Sequence, residues 1–190
     1  MDVLTNNLAN STTTGYKSEG ATSQSFDALL AYRIKDEQDG YLGGVNIGRN
    51  NPGVKIGETY TSYEQGSFRE TGNTYDLALS GEGFFTIEYT NRAGETSTMY
   101  TRDGGFTLTK EGVLVTKDGD FVLGEGSKHI QLDPNQPATI DTAGNIIQNN
   151  TIIAKLQITD FEDYNYLEHY GENFFQPVEG AEITESSAKI

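Results

Sequence analysis

The sequence predicts a mainly β protein. It reads as an irregular, multi-stranded β domain, a sandwich- or barrel-like meander, with a short N-terminal helix remnant and an extended arm before it. Three observations predict this. Short segments rich in aromatic and β-branched residues recur at close spacing with glycine between them, the pattern of antiparallel sandwiches and barrels. The chain has 22 glycines, 11 tyrosines and 9 phenylalanines, but 2 methionines and no tryptophan, a composition that suits turns and strands. Helical apolar spacing is clearest in one short stretch, at Met1, Leu4 and Leu8. A chain of 190 residues is long enough to bury a core without staples.

Taken in order, Met1 to Asn10 reads as the end of a helix, because Asn10 and the following Ser-Thr-Thr-Thr-Gly are poor helix formers. Its apolar seam is shorter than an isolated helix needs, about 12–15 residues. It is either the tail of a longer helix or a frayed first turn. Phe26, Leu29, Leu30 and Ile34 suit a helical face, but that segment is short; residues 35–53 are polar and glycine-rich and read as a loop. Val54 to Tyr63 is a strand with Val54, Ile56 and Tyr60 on one face, broken by Gln65-Gly66-Ser67.

The stretch from Gly72 to Thr90 organises the rest. Leu77-Ala78-Leu79 and Phe84-Phe85-Thr86-Ile87 flank Ser80-Gly81-Glu82-Gly83, a bend that asks for glycine. If φ at Gly81 and Gly83 is positive, valine at either destabilises the domain by a few kcal/mol. Strands then alternate with turns: Thr96–Thr101, Phe106–Thr109, Val113–Thr116 and Phe121–Leu123, separated by Arg102-Asp103-Gly104-Gly105, Lys110-Glu111-Gly112 and Lys117-Asp118-Gly119. Lys128–Leu132, Ala138–Asp141 and Ile146-Ile147 continue the pattern. Thr151–Asp160 reads as the longest strand, half buried. From Glu172 the chain reads as irregular, through Asn173-Phe174-Phe175-Gln176-Pro177 to an acidic end.

Chemistry is sparse. The formal charge of −15 argues against a nucleic-acid partner, which needs clustered Lys and Arg, and disfavours an anionic membrane surface. With no cysteine, disulfides and thiol chemistry are excluded. No run reaches the ~20 apolar residues of a membrane span, so direct membrane insertion is not expected. His129 and His169 lack neighbouring metal ligands in the sequence. Gly81-Glu82-Gly83 is followed by no Gly-Lys-Ser/Thr and opens no helix. Asp118-Gly119-Asp120 and Asp141-Thr142-Ala143-Gly144 read as turns rather than as calcium or protease motifs. No catalytic residue, cofactor or metal is expected. A surface module binding a glycan or protein through Tyr60, Tyr63, Tyr164 and Tyr166 is the alternative, against which stands plain cross-strand packing of those rings.

Two stretches carry a family resemblance. Asn6-Asn7-Leu8-Ala9-Asn10, followed by Thr14-Gly15-Tyr16-Lys17, resembles the N-terminal signature of the bacterial flagellar rod and hook proteins, with Tyr16 where phenylalanine is commoner. Gly72-Asn73, Asp76-Leu77-Ala78 and Gly81-Glu82-Gly83-Phe84-Phe85, continuing through Tyr100-Thr101-Arg102, Gly105-Phe106, Gly112, Leu114-Val115 and Gly119, is similar to the β domain of that family. Gly171-Glu172-Asn173 resembles its exit segment. The resemblance implies a rod subunit, most like the distal rod type, although proximal rod, distal rod and hook subunits share both motifs. It further implies a homo-oligomer in a helical filament when full length, contacts with neighbouring rod and hook proteins, passage through the flagellar export apparatus, and location in the basal body. The first motif would lie at subunit interfaces. Residues 1–70 would link an axial helical core to the outer domain, 71–175 would form that β domain, and 176–190 would return toward a C-terminal helix; both terminal helices look cut in this sequence.

Overall fold

The computed structural model describes residues 2–25, 29–33, 45–50, 53–186 and 188–190. It is mainly β with one short α-helix among those residues, and its sheets are antiparallel without forming a closed barrel. The chain divides into two compact units, one of residues 1–7 and 18–62, the other of residues 8–17 and 63–190.

Helix α1 spans Asp2–Ala9. In the first unit, β1 (Glu19–Ser25), β2 (Leu29–Arg33), β3 (Val45–Asn50) and β4 (Val54–Thr61) form two antiparallel pairs. β1 pairs with β4 from Glu19↔Thr61 to Ser25↔Val54, and β2 with β3 from Leu29↔Asn50 to Arg33↔Val45. The register at Ser25↔Val54 and that at Leu29↔Asn50 differ by four residues on each strand, and the described residues form two separate two-stranded ribbons. The Tyr60 ring lies across Gly20, its cross-strand partner. Two readings are corrected here. Leu29–Arg33 is a strand, not a helical face; a segment this short cannot nucleate a helix against available strand pairing. Residues 45–50 are a strand, not loop. The rest of both predicted segments (26–28, 34–44 and 51–52) lies outside the described residues.

The second unit begins its sheet with β5 (Phe84–Thr90), β6 (Thr96–Thr101), β7 (Phe106–Leu108), β8 (Leu114–Thr116), β9 (Phe121–Gly124) and β10 (Lys128–His129). A small sheet follows, β11 (Ala138–Ile140), β12 (Asn145–Gln148) and β13 (Thr151–Lys155). Then come β14 (Ile158–Phe161), a 3-10 turn at Tyr164–Tyr166, β15 (Leu167–Tyr170), β16 (Phe174–Pro177) and β17 (Ile183–Glu185). The large sheet runs β15-β16-β6-β5-β9-β8-β7, with β10 on β9, and β14 between β5 and β17.

Successive side chains of a strand face opposite sides, and β5 uses both. Phe85 and Ile87 enter one core with Met99, Leu114, Val122, Ile146 and Leu156. Phe84 enters a second, aromatic core with Tyr100, Phe161 and Phe175. Phe84, Phe85 and Ile87 are fully buried, each contributing about 1.5–3 kcal/mol of burial. Local turn chemistry connects the strands: Asn91 Oδ1 accepts from the backbone N–H of Ala93 and Glu95, and Asp141 Oδ1 from those of Ala143 and Asn145, as Asx turns do.

The C-terminal half departs from the sequence reading. Thr151–Asp160 is two strands, because Leu156 bridges Gly124 and Gln157 exchanges backbone bonds with Leu123 and Thr86. Its first part leaves both Ile152 and Ile153 exposed. Beyond Glu172 the chain is not irregular: β16 pairs with β15 and β6, β17 with β14, and Ser80 and Lys189 bond each other's backbones. Phe174 and Phe175 hold β16 in place by entering the two cores.

That returning segment pins the glycine bend. Gly81 and Gly83 have φ of +113° and +134°. A Cβ at Gly81 would meet Ala188 at an ordinary 3.5 Å, whereas one at Gly83 would lie 2.3 Å from Ser186 Oγ, which donates to Glu82 O at 2.6 Å. Gly81→Ala should therefore cost about 1 kcal/mol, strain alone, and Gly83→Ala about 2 kcal/mol or more because that bond is displaced too. Urea midpoints of the two variants would test the order; equal midpoints would refute it.

Candidate functional site

The first family motif closes α1 and leads into a docked turn. Asn7 uses its side chain as a strand would use its backbone: Oδ1 accepts from Glu19 N–H at 3.0 Å and Nδ2 donates to Glu19 O at 2.7 Å. Asn6, Leu8 and Ala9 are exposed, while Asn10 is buried. Asn10 stops the helix, since its carbonyl accepts from Thr13 N–H and its side-chain oxygen from the Thr13 hydroxyl.

Thr14 is exposed, and the next three residues dock. Gly15 has φ of +75°, and a Cβ there would lie 2.4 Å from Asp103 N and 2.6 Å from Arg102 C. The two backbones thus touch where only glycine fits. The Tyr16 ring sits 5.9 Å from His169, which packs edge-on to Phe175 at 4.7 Å. Lys17 is 7% exposed, and its ammonium donates to the carbonyls of Glu64 at 2.7 Å and Tyr63 at 3.2 Å. Burial pushes its pKa below the usual lysine range, and the Arg102 charge adds to the shift. The chain leaves this unit after Lys17 and re-enters it at Tyr63. Lys17 therefore ties together the two points where the chain leaves and re-enters this unit, residues 17 and 63–64.

Arg102 is the second cation of the site. It donates to Gly81 O at 2.8 Å and lies 5.0 Å above the Phe84 ring, a cation–π geometry. Burial lowers its pKa, opposed by the Tyr164 hydroxyl, Asp160 and Glu82 around it. Tyr164 donates to Asp160 Oδ1 at 2.7 Å, and its ring lies tilted against Tyr63 at 4.7 Å and edge-on to Phe84 at 5.6 Å.

Burial and then the Asp160 bond raise the pKa of Tyr164 above its ordinary value of 10.0. A raised folded-state pKa contributes stability below the unfolded pKa, and that stability is lost as pH climbs past 10. Tyr164→Phe should be less stable than wild type by about 1–2 kcal/mol at pH 7, with the gap shrinking as pH rises above 10. Urea midpoints across that rise in pH would show a constant gap if the phenol did not matter.

The second motif extends from this site into the β domain. Gly72 and Gly119 sit in open turns. Asn73 bonds Asp76, whose carboxyl is held below the usual range by the Thr71 hydroxyl and then by Asn73. Asp76 bridges Gly105, and Gly112 abuts Leu132 O. Phe84 and Tyr100 belong to the aromatic core and Phe85 to the other. Sequence reasoning did not single out Asp160, considered His169 only as a metal ligand, and weighed Tyr63 and Tyr164 as surface candidates against plain cross-strand packing. The structure packs both tyrosines into the aromatic core; Tyr60 and Tyr166 remain 58% and 44% exposed. No local signal marks these partners, because they lie 46 or more residues along the chain from Lys17.

Comparison with known proteins completes the assignment. Residues 78–148 match the family model described as the flagellar hook protein FlgE/F/G D1 domain. The chain is 31% identical to the flagellar basal-body rod protein FlgF of Caulobacter vibrioides, covering 96% of this chain and 72% of that protein. It is 32% identical to the flagellar basal-body rod protein FlgG of Agrobacterium fabrum, covering 96% and 71%. A flagellar hook protein FlgE, of Helicobacter mustelae, is 36% identical over a shorter region, 65% of this chain and 27% of that protein. The relatives thus bear both rod names at similar identity. With its docked motif, its glycine bend and this likeness along nearly its whole length, the chain belongs to the flagellar basal-body rod protein family.

Proposed function

We propose that this structural rod subunit polymerises with copies of itself into a helical axial filament of the flagellar basal body, next to other rod and hook proteins, and transmits torque along it. The observation that carries the reading is the exposed seam of α1. Leu4 and Leu8, one turn apart, are 71% and 76% exposed. An eight-residue helix is too short to persist alone in water, and a leucine stripe is the kind of face a neighbouring helix covers. The ribbons of the first unit have the same need, since two-stranded ribbons are marginal without a third strand or a packed face. Repeated head-to-tail contacts that do not close build a helical filament and need no catalytic group.

In this reading the protein is not an enzyme and uses no cofactor. Its buried polar side chains serve the fold: Thr86 bonds Thr159 at 2.9 Å, and Thr101 donates to Asn173 O at 2.8 Å. Residues 1–70 serve as the helix and arm that lead to the outer domain, 71–175 as that domain, and 176–190 as a segment returning along it. Asn6 to Asn10 and Thr14 to Lys17 stand where arm and domain connect. Export through the flagellar apparatus would bring the subunit to its place. Electron microscopy of the full-length subunit should show hollow helical filaments, and the subunit should be recovered in isolated basal bodies. A protein that stays monomeric and is absent from basal bodies would overturn the reading.

A further inference from the structure

The β12–β13 hairpin carries a surface whose chemistry points to its partner. Residues 142–159 contain no Asp or Glu, in a chain with 28 acidic residues and a formal charge of −15. Residues 3–18 and 40–57 are also free of acids; the first span holds the docked motif, and the second includes β3 and the start of β4. Within the hairpin, Ile152 and Ile153 are 60% and 48% exposed.

The fold holds these two side chains outward. Asn149 and Asn150 have φ of 51° and 59°, the left-handed pair of a tight two-residue turn. Ile146 pairs with Ala154 and Ile147 with Ile152, so Ile153 is the extra residue of a bulge. Bulges re-aim side chains. Behind the turn, Gln148 is 4% exposed; it accepts from Asp133 N–H and donates to the carbonyls of Asp133 and Gln136. The turn end of the hairpin is therefore fixed, and β13 presents isoleucine just behind it.

β13 is also an edge. Among the described residues no strand pairs with its outer side, and one bond, from Glu125 N–H to Lys155 O, closes its end. Exposed edges are usually guarded by charge or proline. Here Lys155 is the one charged residue of the acid-free span. A partner carrying the same strong negative charge is repelled over most of this surface. It can approach where apolar area can be covered without desolvating an unpaired carboxylate.

We propose that the Ile152–Ile153 face of the β12–β13 hairpin is a contact surface for a second copy of this chain in the assembled rod. The inference rests on the polymerising reading above. It assigns this face, in addition to the α1 seam, to contacts between copies.

The test uses basal bodies from cells producing the subunit with p-benzoylphenylalanine in place of Ile153. Irradiation should yield a conjugate whose peptides, identified by mass spectrometry, come from this chain on both sides. The double variant Ile152→Glu/Ile153→Glu should lower recovery of the subunit in basal bodies about tenfold or more, with the melting midpoint of the purified protein unchanged. Val178→Glu, at another exposed apolar position (47%), should leave recovery unchanged. A conjugate with a different protein, no conjugate, or wild-type recovery of the double variant would overturn the proposal. Absence of the unsubstituted chain from basal bodies would overturn the rod reading itself, and this inference with it.

Discussion

Phe84→Ala should lower the stability of the β domain by about 3–5 kcal/mol, the usual cost of emptying a buried aromatic site. Phe84 is fully buried, and its ring lies 5.3 Å from Phe175, 5.6 Å from Tyr164, 6.1 Å from Phe161 and 6.2 Å from Tyr63. Four aromatic neighbours cannot collapse into the space without leaving their own pairings. The loss also reaches Arg102, which rests on the ring at 5.0 Å. Its buried Nε has no hydrogen-bond partner among the described residues, so the ring is part of what compensates its burial. Phe84→Leu keeps most of the volume and should cost about half as much. Denaturant unfolding of both variants would decide, and an alanine variant as stable as wild type would mean that the aromatic core is not what holds β5, β14 and β16 together.

What could be read in the sequence was local. The turns after Tyr89, Thr109, Thr116 and Ile140 write themselves in Asn91, Gly112, Gly119 and Asp141, because each turn is closed by its own residues. The bend at Gly81 and Gly83 was legible in its glycines, and the positive φ entered as a condition that the structure meets; the returning segment that pins the bend was not legible. Strands between these turns alternate because one neighbour or another buries them. The first unit fits this less well: Ala21 to Gln24 and Gly57 to Tyr60 are all exposed, and residues 45–50 read as loop because the stretch around them is polar and glycine-rich. β16 was missed for a different reason. Phe174 and Phe175 enter different cores, and adjacent aromatics with Pro177 behind them look irregular until both faces are known to be covered.

The candidate site was half legible. Gly15, Tyr16 and Lys17 stood out as a motif, yet nothing near them says what they touch. Their partners, Arg102 and Asp103, Tyr63 and Glu64, and His169, come from three distant segments. Arg102 was visible as a motif residue but not as a cation resting on Phe84. Asp160 gave no signal, since an acid in a chain with 28 acidic residues is unremarked until a phenol is found against it.

Gly15→Val should release the docked turn while leaving the β domain folded. The added Cβ would lie 2.4–2.9 Å from backbone atoms of Arg102 and Asp103, and φ at this position is +75°. Neither the strand end nor the turn can yield enough, because the contact is backbone on backbone. The chain has a cheaper response, which is to undock residues 8–17. The cost is then capped by what docking contributes. That is the Tyr16–His169 contact, the two bonds of Lys17 to Glu64 and Tyr63, and the burial of Asn10. Bonds from a charged donor contribute about 1.5–3 kcal/mol, so a total near 3 kcal/mol is expected after the lysine's desolvation is set against them. Two measurements separate undocking from global damage. Limited proteolysis should cut the variant within residues 8–17 or at Tyr63–Glu64 many-fold faster than wild type, and the His169 ring resonances should shift as Tyr16 leaves. Lys17→Met should reproduce part of the proteolytic effect, because methionine keeps the apolar stem and loses both bonds. If Gly15→Val resists protease as wild type does, the close approach of Gly15 to Arg102 and Asp103 is not what holds the turn in place.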